Sequence, residues 1–392
     1  MVPLLRALGA AEGETRFVGG CVRDTLLGID VSDIDLATRL EPGAVIERLK
    51  RAHIKAVPTG IAHGTVTAVL QGGPVEVTTL RRDVSTDGRR ATIAYTDDWL
   101  EDAARRDFTI NALSADPETL AIYDYFGGEA DLADRKVRFI GDPLVRIAED
   151  HLRILRFFRF HARFGRGDPD AAALEACADR ANDLMALSRE RIADELLKLL
   201  ALSSPHPTVA LMVERGILRA VLPEIGDEGV RRLGDLIVRE QAANAAPEPI
   251  RRLAALLPAD PDLAAAVAAR LRLSKRATRR LVSAAAREPK ESGDPRALAY
   301  RIGRAEATDR LLLQDDTDDP ATRLDILREW QRPHFPLTGG DLIAMGLRPG
   351  PVVAKTLQAI ERQWIEDGFP SDADAIRRVA WKHVGQASRD SQ

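Results

Sequence analysis

Apolar residues follow two different spacings along the chain, and the spacing changes near residue 140. Before that point, short β-branched stretches alternate with polar positions, as is typical of strands; they lie at 15–20, 33–38, 54–59, 64–70, 75–80 and 136–141. From about residue 143 onward, apolar residues recur at helical spacing in segments of about 10 to 20 residues. Breaks rich in proline, glycine and serine separate these segments at 203–207, 246–249, 287–295 and 331–340. The pattern predicts an α+β fold in which a domain with a mixed sheet is followed by helices.

Length and composition narrow the class of protein. A chain of 392 residues should divide into two to four domains, and 45% hydrophobic residues with only 5% aromatics fit a soluble, mainly helical protein. A net charge of -4 does not by itself indicate a nucleic-acid binder, but basic residues cluster locally. The sequence contains no apolar stretch long enough to cross a membrane and no cleavable N-terminal signal, so we expect a cytoplasmic protein without a membrane partner.

Two glycines and two aspartates follow one another in the N-terminal part. Gly19 and Gly20 end an apolar run and open a short predicted helix, after which Asp33 and Asp35 lie in the next predicted strand. Side chains in a strand alternate between faces, so the two carboxylates should project to the same side. They could be a solvated strand end, but two carboxylates held this close repel each other unless a cation lies between them.

The glycine pair favours the cation. A Gly-Gly turn before a helix lets backbone N–H groups approach a phosphate closely. Phosphate and paired carboxylates together indicate a nucleotide with Mg²⁺, and two such ions can assist an in-line displacement. Glu76 lies in a β-branched strand that could run beside the aspartates, where it would either join the metal site or face solvent as an edge-strand charge.

The stretch from residue 81 to residue 113 combines a charged first half with a polar motif. Residues 81–98 are rich in turn formers, notably "TDGRR", and are typical of a mobile loop. "RRDFTINAL" follows, with Arg105, Arg106, Asp107 and Asn111 as a polar cluster. Asp107 and Asn111 are one helical turn apart and could grip ribose hydroxyls and phosphate oxygens, or they could belong to a capped helix with a surface salt bridge.

The segment 149–165 is predicted to be an amphipathic helix with an apolar side opposed by an arginine side. Its side chains are Phe157, Phe158, Phe160 and Phe164 against Arg153, Arg156, Arg159 and Arg163. Such a helix is usually only a core element. However, Asp150 and Arg153 stand at i and i+3, which would place a carboxylate acceptor beside a guanidinium donor.

That pairing has a consequence for base recognition. Cytosine and adenine each offer an amino donor beside a ring-nitrogen acceptor, whereas uracil and guanine offer a carbonyl acceptor beside an N–H donor. An Asp150/Arg153 pair would therefore accept C and A and reject U and G.

Together these motifs resemble the class II tRNA nucleotidyltransferases, the CCA-adding enzymes, which share a DNA polymerase beta-like head with bacterial poly(A) polymerases. The resemblance covers about residues 17–200 and rests on "GGCVRDTLLG…DIDLAT", "RRDFTINAL", "EDHLRILRFFRF" and "SRERIADELLKLL" in that order. It implies that the 3′-hydroxyl of tRNA attacks the α-phosphate of CTP or ATP and that pyrophosphate leaves. The protein, not a nucleic-acid template, selects the base.

The resemblance also implies roles for individual residues. Asp33 and Asp35 would bind two catalytic Mg²⁺ ions. The nucleotide-binding residues would be Gly19, Gly20 and Arg23 at the triphosphate, Arg106, Asp107 and Asn111 at the sugar and phosphates, and Asp150 and Arg153 at the base, together with Arg156 and Arg159. The implied domains are a catalytic head at 1–140, a neck at 141–205, a body at 206–330 and a tRNA-binding tail at 331–392.

A basic run supplies candidate RNA contacts. "RLRLSKRATRRL" is either a solvated helix face or a surface that binds the phosphates of the tRNA acceptor end. The candidate phosphate contacts in it are Lys275, Arg276, Arg279 and Arg280. No obligate protein partner is implied.

Three features narrow the function within the family. "TGIAHGTVTAVL" stands where poly(A) polymerases typically carry an "IGRRF"-like stretch, which favours tRNA as substrate. The loop after residue 81 is absent from CC-adding specialists, which favours complete CCA addition. No His-Asp dipeptide occurs, so we expect no HD phosphohydrolase activity. An A-adding specialist, a poly(A) polymerase and a catalytically silent RNA-binding protein are the alternatives.

Overall fold

The computed structural model describes residues 1–31, 33–86, 91–287, 293–314 and 320–390. They form two compact units, one of Met1–Val230 with Ala269–Leu273 and one of Arg231–Ala268 with Ser274–Gln392. A sheet-containing head followed by helices confirms the predicted α+β class. The finer division into head, neck, body and tail stays a prediction.

The head is built on a mixed seven-stranded sheet with the strand order β3-β4-β5-β2-β1-β8-β9. Strands β2 and β5 run parallel, and the other neighbours are antiparallel. The strands of this sheet are β1 Thr15–Val18, β2 Asp35–Thr38, β3 Lys55–Gly60, β4 Thr65–Leu70, β5 Gly73–Thr79, β8 Ser114–Ala115 and β9 Ile122–Tyr123. Strands β6 Arg81–Thr86 and β7 Ala91–Tyr95 form a separate two-stranded sheet.

Two of the head helices cover one face of the head sheet. The head helices are α1 Val2–Ala7, α2 Gly20–Leu26, α3 Pro42–Arg51, α4 Trp99–Ala104 and α5 Gly128–Ala133. Leu4 of α1 and Leu49 of α3 pack in one buried cluster with Leu36, Val75 and Val77 from β2 and β5. Because side chains alternate along a strand, the residues between these positions face the opposite side of the sheet.

In the described residues after α5, the regular elements are all helices. In the first unit they are α6 Pro143–Glu149, α7 Arg153–Phe164, α8 Ala171–Asp179, α9 Arg189–Leu200 and α10 His206–Glu214. Beyond them lie α11 Asp227–Ala242, α12 Pro249–Leu256, α13 Pro261–Arg270, α14 Lys275–Ala285, α15 Pro295–Ile302, α16 Arg304–Leu313, α17 Pro320–Arg328, α18 Gly339–Ala344, α19 Pro351–Glu366 and α20 Ala373–Asp390. None of the helices in the described ranges is long and apolar enough to cross a membrane.

The phenylalanines of α7 join this helix to the head. Phe157 stacks on Phe139 with ring centroids 5.8 Å apart, and Phe139 packs on Phe108 at 4.9 Å. All three rings are fully buried or nearly so. The apolar side predicted for this helix is therefore the seam that holds α7 on the head.

Two of the predicted elements are wrong. The stretch 136–141 forms no strand, only an isolated bridge between Phe108 and Phe139, because its buried alternate residues pack on α7 without a neighbouring strand. Residues 81–98 are not simply a loop, because β6 pairs with β7 from Arg81 opposite Tyr95 onward. The charged residues concealed a strand pattern on both sides of "TDGRR". Residues 87–90, where most of "TDGRR" falls, lie outside the described residues.

Candidate functional site

The glycine turn connects β1 to α2 and lies beneath an arginine. Gly19 has a φ of +69°, which disfavours any residue with a side chain. A Cβ atom added there would lie 2.7 Å from Nη1 of Arg106. The guanidinium thus rests directly on the turn, and it also donates to the carbonyl oxygen of Asn111 at 3.2 Å. The N–H of Gly19 already donates to the carbonyl oxygen of Leu113 at 2.9 Å. The donors that meet here are therefore the Arg106 guanidinium and the N–H groups at the start of α2, an arrangement suited to an anion.

Two of the predicted acidic residues lie side by side in the sheet. Asp35 begins β2 and stands opposite Glu76 of the parallel strand β5. Both point away from the apolar cluster under α1 and α3, toward the face that the turn at Gly19 also borders. The strand pairing expected for Glu76 is therefore present.

Asp33 lies outside the strand, contrary to the prediction. Strand β2 begins only at Asp35, because its partner β1 ends at Val18 and turns at Gly19, leaving the residues before Asp35 without a neighbour on that side. The charge of Asp33 still acts on Asp35.

The electrostatics of Asp35 reflect this crowding. Burial raises the pKa of its carboxyl group, the charge of Glu76 raises it further, Arg106 lowers it, and Asp33 raises it again, with a net upward shift. A bound cation would relieve this repulsion, and carboxylate oxygens are the donors that Mg²⁺ prefers. Within the described part of the chain no three His, Cys, Asp or Glu side chains gather closely enough to hold a metal by themselves, so phosphate or water oxygens would have to complete the coordination.

Asp107 and Asn111 form a buried hydrogen-bonded pair. Asn111 donates Nδ2–H to Oδ1 of Asp107 at 2.9 Å, and Oδ2 of Asp107 accepts from Nε of Arg156 at 2.7 Å. Burial alone would raise the pKa of Asp107, but Arg156 and Asn111 outweigh it, and the pKa lies below its usual range. The two residues meet through a 3₁₀ turn at Thr109–Asn111, not a full helix, and their burial argues against the surface salt bridge alternative.

Arg23 reaches the same network from α2. Its side chain is 5% exposed, its Nη1 donates to Oδ1 of Asn111, and its guanidinium lies 4.1 Å above the ring of Phe164. Asp24 accepts from its Nε at 2.8 Å. The structure therefore places Arg23 at the predicted site, where its guanidinium is bound to Asp24 and Asn111.

Asp150 and Arg153 do not share a helix face. Helix α7 begins at Arg153, and Asp150 precedes it with extended backbone, because its Oδ1 accepts the N–H of Leu152 at 3.1 Å. Its Oδ2 pairs with Arg191 of α9 at 2.8 Å. Arg153 binds Glu149 and donates to the carbonyl oxygens of Arg146 and Arg105. The helical premise of the predicted pairing was wrong, and the role of the two residues in base reading stays a prediction.

Arg156 and Arg159 are drawn together by a residue that the sequence reasoning left without a role. Glu195 of α9, only 4% exposed, accepts from Nε of Arg159 at 2.5 Å and lies 3.7 Å from Arg156. The signal for it was a glutamate within the apolar stripe formed by Ile192 and Leu196. A charged residue in such a stripe needs a buried partner.

The basic run divides into two kinds of residue. Lys275, Arg276 and Arg279 of α14 are exposed. Arg280 is instead bound to the fully buried Asp309 at 2.5 Å and to Glu248 at 2.6 Å. Its guanidinium is therefore committed to two carboxylates inside the second unit, and its role as a phosphate contact stays a prediction.

Comparison with known proteins points to one family. The family described as "Poly A polymerase head domain" matches residues 15–138, and "Probable RNA and SrmB- binding site of polymerase A" matches residues 168–228. The chain is 35% identical to "CCA tRNA nucleotidyltransferase 1, mitochondrial" of Mus musculus over 93% of this chain and 85% of that protein. It is 31% identical to the "CCA-adding enzyme" of Lacticaseibacillus paracasei over 97% and 95%. The solved Bacillus stearothermophilus CCA-adding enzyme in complex with CTP superposes with a TM-score of 0.78 at 25% identity, over the whole of both chains.

Proposed function

The chain belongs to the family of CCA-adding tRNA nucleotidyltransferases, and on that basis we propose that it adds C, C and A to the tRNA 3′ end from CTP and ATP. The observation that carries the proposal is the placement of Asp35 and Glu76 side by side, next to a glycine turn on which Arg106 rests. Crowded carboxylates beside an anion-binding turn suit a metal-bound nucleoside triphosphate.

Asp33 and Asp35 would hold the metal ions, with Glu76 beside Asp35 on the neighbouring strand and phosphate or water oxygens completing the coordination. Nucleotidyltransferases of this family generally depend on divalent metals, and the all-oxygen donor set favours Mg²⁺. When bound, two Mg²⁺ ions supply activation of the 3′-hydroxyl and neutralisation of charge at the α-phosphate.

The remaining residues bind and orient the nucleotide. The turn at Gly19 and Gly20 binds the triphosphate through the backbone N–H groups that follow Gly19, whose own N–H is donated to Leu113, and the Arg106 guanidinium above the turn stabilises the charge of the departing pyrophosphate. Asp107 and Asn111 fix the floor of the site through the hydrogen bond between them. The tRNA 3′-hydroxyl attacks the α-phosphate in line, and pyrophosphate leaves on the opposite side.

Base selection rests on Asp150 and Arg153. Asp150 offers carboxylate lone pairs to the amino group of C or A, and Arg153 offers its guanidinium to the adjacent ring nitrogen. Arg153 must exchange Glu149 and a backbone carbonyl for the base, so binding a nucleotide rearranges this side chain. Arg156 and Arg159 are already paired with Asp107 and Glu195. They therefore shape the wall of the nucleotide pocket and do not supply a free charge to the base.

The tRNA is recognised by its shape and backbone, because every tRNA must be accepted. The exposed side chains of Lys275, Arg276 and Arg279 are the phosphate contacts we retain. A cytoplasmic location stays a prediction, since one of the relatives above is named as mitochondrial.

Labelled nucleotide incorporation tests the function. CTP, ATP, UTP and GTP are supplied singly and mixed to tRNA ending before CCA, after C and after CC, with the Asp35→Asn variant as the inactive control. We expect C, C and A in order, followed by a stop. A added only after CC would identify an A-adding specialist, long A tails on any RNA a poly(A) polymerase, and binding without incorporation a silent RNA-binding protein.

A further inference from the structure

Asp24 is a buried carboxylate that receives two guanidinium groups. It lies on α2 and is 8% exposed. Its Oδ1 accepts from Nε of Arg23 at 2.8 Å and lies 2.7 Å from Nη2 of the same arginine. Its Oδ2 accepts from Nη2 of Arg163 at 3.5 Å. Arg163 is 139 residues away, on the helix that also carries Arg153 and Arg156.

These contacts form one end of a continuous chain of polar interactions. From Asp24 the chain passes through Arg23 to Asn111, from Asn111 to Asp107, and from Asp107 to Arg156. Because Arg163 contacts Asp24, this series of polar interactions starts at Arg163 of α7 and returns to the same helix at Arg156. These two arginines are seven residues apart, which places them on the same face of the helix about two turns from each other.

The charges of Arg23 and Arg163 show why Asp24 matters to this series of polar interactions. Burial lowers the pKa of Arg23, Asp24 opposes this, and the nearby charge of Arg163 lowers it further. Asp24 supplies the carboxylate that both share. A neutral side chain there would leave two neighbouring cations around a buried position, which is costly because a buried ion that loses its partner keeps its desolvation penalty.

We propose that Asp24 is a positioning residue for triphosphate binding: it fixes Arg23 next to the glycine turn and, through Arg163, holds α2 in register with α7. The side chain of Arg23 lies against Gly20, where an added Cβ would be 3.6 Å from its Nη2. Asp24 thus sets the spacing between the turn that binds the phosphates and the helix whose first residue, Arg153, faces the base. This inference rests on the proposed function.

Nucleotide kinetics on Asp24→Asn test the proposal. We expect KM for both CTP and ATP to rise by about tenfold, with a smaller change in kcat, because the phosphate cradle is misplaced before chemistry begins. Discrimination against UTP and GTP should be kept, since Asp150 and Arg153 are untouched, and the Kd for tRNA should be unchanged. Asp194→Asn is the matched control, because its carboxylate forms an exposed pair with Lys198 on α9.

A double-mutant cycle separates positioning from general stability. Arg163→Met alone should raise KM by about threefold, and the double variant should resemble Asp24→Asn instead of showing the product of about thirtyfold, because the two residues act through one contact. Arg163 is partly exposed, so this variant also serves if Asp24→Asn folds poorly.

Two results would overturn the inference. An unchanged KM with a lower melting temperature or a smaller active fraction would mean that Asp24 is only structural, and fully multiplicative effects would remove the link to Arg163. Failure of the wild-type protein to add C, C and A would instead refute the proposed function, so the two failures are distinguishable.

Discussion

On the proposed function, protons and Mg²⁺ compete for the carboxylate of Asp35. Burial and the charges of Glu76 and Asp33 raise its pKa, and Arg106 only partly opposes them. An acid with a raised pKa takes up its proton at a higher pH than an ordinary aspartate. Protonated Asp35 is a poor metal ligand, so activity should be lost as the pH falls through this raised pKa.

This predicts an acid limb of activity that depends on metal concentration. Incorporation rates measured between about pH 5 and pH 8 should show the limb moving to lower pH as Mg²⁺ is raised, because the cation displaces the proton. Glu76→Gln at saturating Mg²⁺ should also lower the limb, because it removes a charge that raises the pKa of Asp35. Glu47→Gln, exposed on α3 under the opposite sheet face, should leave it in place. If the acid limb stays at the same pH when Mg²⁺ is raised and in Glu76→Gln, a group other than Asp35 causes it.

At the scale of elements, the alternation of apolar and polar residues predicts those strands that their own sequence determines. The strands from β1 to β5 were found because alternation is a property of the strand itself, and each lies in the sheet with a partner. The stretch 136–141 alternates equally well but has no neighbouring strand, and β8 and β9 span two residues each, too few to show a period.

The contacts of the candidate site likewise divide into those that local spacing predicts and those that depend on packing. Asp107 and Asn111 were grouped from their spacing, and they meet in the structure. The contact between Asp24 and Arg163 joins residues 139 positions apart and depends on how α7 packs on the head, which no local spacing reveals. Asp150 was misplaced because its side chain accepts the backbone N–H of Leu152, so that α7 begins at Arg153, about one turn later than the pattern suggests.

The hairpin of β6 and β7 carries a prediction of its own. Asp83 and Ile93 are partners in its register, so an Asn-Gly turn placed between them shortens the hairpin without disturbing its base. We expect both C additions to persist and the final A addition to fall by at least about tenfold, because binding of the second kind of base requires the pocket to change shape.

The measurement is stepwise extension of tRNA ending before CCA and after CC. A variant with residues 87–90 replaced by Gly and Ser at equal length is the matched control. Normal A addition by the shortened protein would show that the hairpin has no part in the change from CTP to ATP.

At the scale of the whole molecule, a net charge of -4 conceals a local basic surface. Lys275, Arg276 and Arg279 lie exposed on one helix, while Arg280 beside them is neutralised by Asp309 and Glu248. Binding of RNA through phosphates depends on such local surfaces and releases counterions, so affinity should fall steeply with salt.

Replacing Lys275, Arg276 and Arg279 together by Ala should weaken tRNA binding and reduce the slope of log Kd against log salt by about two. The effect should be the same for tRNAs of different sequence. Arg280→Met is the matched contrast: it should leave the salt slope unchanged and lower the free energy of unfolding by about 2 kcal/mol, because the fully buried Asp309 would lose Arg280 and keep only its 3.3 Å ion pair with Arg251. A normal salt slope in the triple variant would exclude α14 from the RNA-binding surface.

The turn at Gly19 also decides where this protein can change over generations. With a positive φ and Arg106 only 2.7 Å from the position of a Cβ, every other amino acid there strains the backbone and displaces the guanidinium at once. On the proposed function, phosphate binding at this turn is therefore inherited or lost as a whole and is not adjusted in small steps. Nucleotide preference could instead change gradually at Asp150 and Arg153, because single substitutions there alter one side chain at a time.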